Sequence, residues 1–237
     1  MSGMARGSSS PTGNRVHRLL SPGLLPVLAG PLLLAGAGAV VLPIVEFGPV
    51  SRHMATHIAL MNIVAPIAAA ACASTRCKPQ APRSATTLWT AAILQVVLLW
   101  AWHVPLVQNA ASASLYLQIV SHIVLMLAAS AFWLEIASRV TPWQAVLALL
   151  VTGKLVCLIG ALLIFAPRVL YDGGHGGHAA HGPSVLPLAD QHMAGLLMIA
   201  ACPLSYILAG VIMSAQNLGA VSRQSDLPPS ALSAAQT

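Results

Sequence analysis

The stretch WQAVLALLVTGKLVCLIGALLIF, Trp143–Phe165, decides the class of this chain. Its only charged residue is Lys154. As a helix rising about 1.5 Å per residue it would be about 35 Å long, enough to cross a hydrocarbon core about 30 Å thick. Inside lipid no water is at hand for the backbone, so every amide and carbonyl must bond within its own segment. The stretch is therefore read as a transmembrane helix.

Five more segments of the same kind flank it, at about 24–45, 54–74, 88–107, 114–136 and 192–214. The whole chain is 57% hydrophobic and 7% charged, where a soluble domain carries about 25% charged residues. The expectation is an all-α polytopic transmembrane helical bundle of about six spans, occupying residues 23–215. The tail 1–22 is basic and Ser/Gly-rich, and 216–237 is rich in Ser, Ala and Pro, so both are expected to be poorly ordered. The first segment also has features of a signal peptide: Arg6, Arg15 and Arg18 precede it, and it holds the small residues Ala35–Ala39. Its apolar stretch exceeds the usual 7–15 residues of a cleaved core, so it is read as a retained span, weakened by Pro26 and Pro31.

Orientation follows from the basic flanks. Arg6, Arg15, Arg18, Arg76, Lys78, Arg83, Arg139 and Arg223 fall in the tails and the even connections, against Arg52 and Arg168 in the odd ones. Eight against two places both termini in the cytoplasm. The formal charge of +6 thus reflects topology. Nucleic-acid binding would need a basic soluble face, and none is present.

With that topology, His53, His57, His103, His122 and His192 all come to the outer ends of their segments. Ionisable rings in spans are costly and mark functional sites. His53 and His57 are four residues apart and share a helix face, which Met61 continues. Met54, Met126 and Met193 also lie near histidines. Imidazole suits copper and iron, and thioether sulfur favours Cu(I). Against this stands the plainer reading, with Met as core filler and each histidine bonded to a neighbouring helix. Repetition at one depth argues for a shared role. Asp190 is a metal ligand, a group orienting a ligand ring, or a helix N-cap.

Several of these residues carry a resemblance. His53-Met54-Ala55-Thr56-His57 before an apolar run resembles the His-Met-x-x-His segment of the CtaG-type assembly factors of caa-type cytochrome c oxidase. Trp102-His103-Val104-Pro105 is similar to the family's Trp-His-x-Pro motif. His122 with Phe132-Trp133 is similar to its fourth-span histidine and aromatic pair. Phe165-Ala166-Pro167-Arg168 with Leu170-Tyr171, and Asp190-Gln191 with Gly195-Leu196, resemble its later segments. The family commonly has Gln where this chain has His192, and usually about seven spans. The resemblance implies a role in oxidase biogenesis in the bacterial inner membrane, at a copper-centre maturation step. Its implied partners are oxidase subunits, with a periplasmic copper donor as a further one and lipid as the surroundings.

The outer loop 166–191 contains His175, His178 and His181 in a Gly-rich run, either an antenna for copper or incidental. Cys72 and Cys77 are expected at the cytoplasmic end of span two, and Cys157 and Cys202 mid-span, as packing residues. Lys154 lines a polar interior or snorkels. Only Glu135 among the acidic residues falls within a span, which argues against a carboxylate proton relay.

Three functional classes remain. The first is a non-enzymatic assembly factor binding Cu(I) through His53, His57, His103 and His122, with Met54, Asp190 and His192 as further candidates. The second is a haem-bearing redox protein, since histidines on facing helices can be axial ligands. The third is a metal transporter, which would want ligands in the inner half as well.

Overall fold

The structure, a computed structural model, describes residues 24–41, 47–75, 84–138, 142–171 and 186–225. The described residues contain helices and no strand. In chain order they are α1 (Leu25–Val41), α2 (Pro49–Ala59), a π-helical turn (Leu60–Val64), α3 (Ala65–Thr75), α4 (Ala85–Trp102), α5 (Pro105–Ser112), α6 (Leu115–Ala137), α7 (Pro142–Phe165) and α8 (Pro187–Ser225). Five helical stretches are long and apolar enough to cross a membrane: Pro49–Ala73, Ala85–Trp102, Leu115–Ala137, Pro142–Phe165 and Pro187–Ser222. The first expected span is the shorter apolar helix α1, 17 residues long with Pro31 inside it. At 1.5 Å per residue that is about 25 Å, the lower limit for crossing. The molecule is a multi-pass helical membrane bundle.

Prolines shape the two helices that carry the site. Pro66 has no N–H to offer an upstream carbonyl, and its ring crowds the turn before it. The chain answers by widening to the π turn at Leu60–Val64, and α2, the turn and α3 run on as one continuous rod. The Met61 carbonyl takes its hydrogen bond instead from the indole Nε1–H of Trp133, at 3.2 Å. Pro105 acts more sharply. A residue before proline is driven out of the α region, and Val104 is extended at φ −61°, ψ 127°. The third span, expected over 88–107, therefore stops at Trp102, and Pro105 starts the short helix α5.

Packing follows membrane rules. Lipid offers little hydrophobic force between helices, so small residues and interhelical hydrogen bonds hold them together. Helices α7 and α8 meet at Gly160 and Gly195, where a Cβ on either would come within 2.9 Å of the other's carbonyl oxygen. At mid-bundle Ser205 donates to Asn62 Oδ1 at 2.7 Å, and Gln95 Nε2 donates to the Tyr206 hydroxyl. Tyr206, Trp133 and Phe132 form a buried aromatic group with centroids 5.2–5.9 Å apart. This core sits directly beneath the histidines. The last helix begins at Pro187, ahead of the expected 192, and continues to Ser225, beyond residue 215 where sequence alone ends the membrane domain.

Candidate metal centre

His53 and His57 lie one turn apart on α2, as their spacing requires. His57 is buried and His53 half-buried. Their Nε2 atoms are 2.8 Å apart. His122, seven residues into α6, brings its ring to 4.4 Å from that of His57, stacked at 10°, and to 5.1 Å from that of His53. One nitrogen each from His53, His57 and His122 lie within 4.8 Å of one another. His103, in the break between α4 and α5, lies beside this three-nitrogen set, its ring 5.5 Å from that of His57. His57 touches all three others.

The free nitrogens are the chemically informative part. The His103 Nδ1 donates to the Leu99 carbonyl at 2.6 Å, and the His122 Nδ1 donates to the Gln118 carbonyl at 2.6 Å. A neutral imidazole has one N–H, so these bonds leave each Nε2 with a lone pair. The His122 Nε2 is buried with no hydrogen-bond partner, as is the His57 Nδ1. The His103 Nε2 faces the buried Met54 sulfur at 3.3 Å, a contact between two electron-rich atoms. Backbone carbonyls fixing the distal nitrogen are the usual way a protein orients a metal-binding imidazole. A buried imidazole lone pair without a donor, as at the His122 Nε2, fits a soft cation better than it fits a packed core.

Asp190 is not among these rings. Its carboxylate accepts the backbone N–H groups of Val50 at 2.8 Å and Ser51 at 3.1 Å, and the Ser51 hydroxyl. Ser51 also donates to the Asp190 carbonyl at 2.9 Å. Helix α2 has Gly48 at its N-cap and no capping side chain of its own. Asp190 supplies that cap from α8, with its charge at the positive end of the α2 dipole. A Cβ at Gly48 would run into this carboxylate. The expected N-cap is thus real but serves another helix, and it fixes the start of the rod that carries His53 and His57. His192 shares this end of the bundle, half-buried, yet lies outside the metal-competent group found among the described residues.

Sequence reading missed three supports. Gln191 receives the Leu170 amide at 2.7 Å and donates to the carbonyls of Leu163 at 3.2 Å and Arg168 at 3.3 Å. The segment it holds presents Tyr171, whose hydroxyl donates to the His103 carbonyl at 2.9 Å. Burial pushes the Tyr171 phenol up to about 12, so it remains a donor. Ser51 is the third, buried against Asp190. Gln191 and Tyr171 stood in quoted motifs, but nothing in their spacing showed what they hold.

Beside His53, a cavity of about 100 Å³ is lined by Gln108, Asn109, Ser112, Gln118 and Tyr171 with Pro49 and Val50. It borders the half-buried His53. His175, His178 and His181, like Cys77, lie outside the described residues.

Neither curated proteins nor solved structures give a match to this chain. A family model does: that of the cytochrome c oxidase caa3 assembly factor (Caa3_CtaG) matches residues 24–218. The matched range takes in all four clustered histidines, Met54, Asp190, Gln191 and Tyr171. By that match over most of its length, the chain belongs to the cytochrome c oxidase caa3 assembly factor family.

Proposed function

We propose that this assembly factor takes up copper as Cu(I), its cargo, at the four-histidine centre and passes it to an oxidase subunit whose copper centre is being built. The observation that supports the reading is the convergence of one nitrogen each from His53, His57 and His122 within 4.8 Å, with His103 and the Met54 thioether alongside and the buried His122 Nε2 and His57 Nδ1 unpartnered. Neutral imidazole and thioether are ligands that suit Cu(I), and handing the ion over is a ligand exchange in which no substrate bond is broken. The protein is therefore read as a non-enzymatic carrier. The excess of basic residues in the tails and even connections puts the histidine end on the outer side of a bacterial inner membrane. There a periplasmic donor would reach the cavity beside His53.

Two alternatives lose ground on geometry. The stacked His57 and His122 rings, 4.4 Å apart, leave no slot for a porphyrin between them. A transporter would need a second ligand set lower in the bundle, and the histidine group is the one candidate metal set among the described residues. Removing the gene should leave oxidase haem largely in place while oxidase copper and activity fall. Copper-replete oxidase formed at normal levels without the protein would refute the copper reading.

A further inference from the structure

Helix α7 buries one face against α8 and α4 and leaves the other bare. On the bare face Trp143, Leu147, Leu150, Val151 and Leu158 are all exposed, and at helical spacing they form one stripe. Lys154 is exposed in the middle of that stripe. It is thus neither in a polar interior nor near a helix end. From Lys154 to either terminus of α7 is about 17 Å, while a lysine side chain reaches about 6 Å, so its ammonium cannot reach either headgroup layer by snorkelling. A cation held at mid-depth on a lipid-facing surface is costly and calls for a partner charge.

The described residues offer no carboxylate at that depth. Among the described residues the acids are Glu135 and Asp190, both buried. Glu135 lies two residues from the end of α6 and accepts the Thr87 hydroxyl, and Asp190 caps α2 at the histidine end. Glu46, Asp172 and Asp226 fall outside the apolar segments by sequence. A second copy thus offers Lys154 no carboxylate among its described residues, and charge complementarity points to another membrane protein.

We propose that the Lys154 face of α7 docks a transmembrane helix of an oxidase subunit that carries an Asp or Glu near mid-membrane. The carboxylate is demanded by Lys154; the oxidase as its source rests on the family's assembly role. The leucine stripe supplies van der Waals contact and the ion pair fixes depth and register, since a paired charge in lipid is far cheaper than a lone one.

The test is photo-crosslinking in the native membrane, using the full chain with a photoreactive residue in place of Leu158, one turn from Lys154. Mass spectrometry should identify an oxidase transmembrane segment containing an acidic residue. The adduct should fall about tenfold with Lys154→Met and persist with Lys154→Arg. Adducts to lipid, to a second copy or to a segment without an acid overturn the proposal, as does a yield indifferent to Lys154→Met. Copper content of the same Lys154→Met protein is read in parallel and should not change. Crosslinking without copper would refute the cargo reading alone, and copper without crosslinking would refute the docking face alone.

Discussion

Asp190 and the four clustered histidines separate two kinds of residue that look alike in the sequence. All are ionisable groups at the same end of the bundle, yet the carboxylate is fully engaged in hydrogen bonds while His57 and His122 each keep a buried ring nitrogen without a partner. Asp190→Ala leaves two buried amides unpaired and should cost about 1–3 kcal/mol, read as a lower thermal midpoint in detergent. Because it frays the start of α2, it should also weaken metal binding without removing a ligand. His192→Ala should keep full metal content, whereas His53→Ala/His57→Ala should lose it; elemental analysis of the purified variants decides both. Tyr171→Phe removes one bond to the His103 carbonyl, worth about 0.5–1.5 kcal/mol. The Tyr171 phenol has its folded value raised to about 12. Its contribution is therefore complete below the unfolded value of about 10 and is lost as pH rises through about 12, so the gap between wild type and Tyr171→Phe should be flat from about pH 7 to 10. At this scale the sequence singled out the clustered histidines by type and spacing. Ring orientation is set by the Leu99 and Gln118 carbonyls, and a backbone acceptor leaves no mark in a side-chain pattern.

Among the elements, α2 and the α4–α5 break show how prolines place chemistry. The halt before Pro105 leaves His103 in the break between α4 and α5, and the π turn ahead of Pro66 follows directly on the helix that carries His53 and His57. The long apolar runs made every membrane-crossing helix legible, because hydropathy reports burial in lipid directly. Helix ends were less legible. The span expected to end at 107 stops at Trp102, and α8 extends from Pro187 to Ser225 because its polar last turns are still helical. The α7–α8 contact is a further element-level feature. Gly160→Leu would force a side chain into the Gly195 backbone, and overpacking of this kind should cost about 1–3 kcal/mol. The expected readout is a lowered thermal midpoint and reduced monodispersity in detergent, with Gly160→Ala affected less.

For the whole molecule, membership in the cytochrome c oxidase caa3 assembly factor family and the histidine group among the described residues point the same way. The ordered set of motifs made the family legible from sequence. The convergence of four rings was legible only as far as topology could carry it, since a shared depth does not fix a shared position around the bundle. His192 illustrates the difference: it has the right depth and lies outside the group. The most direct measurement of the central claim is copper bound per purified chain, compared between wild type and His57→Ala under reducing conditions. One Cu(I) per wild-type chain and loss of nearly all of it in His57→Ala is the expected result, because His57 touches the other three rings. Equal copper in both proteins, or none in the folded wild type, would contradict it.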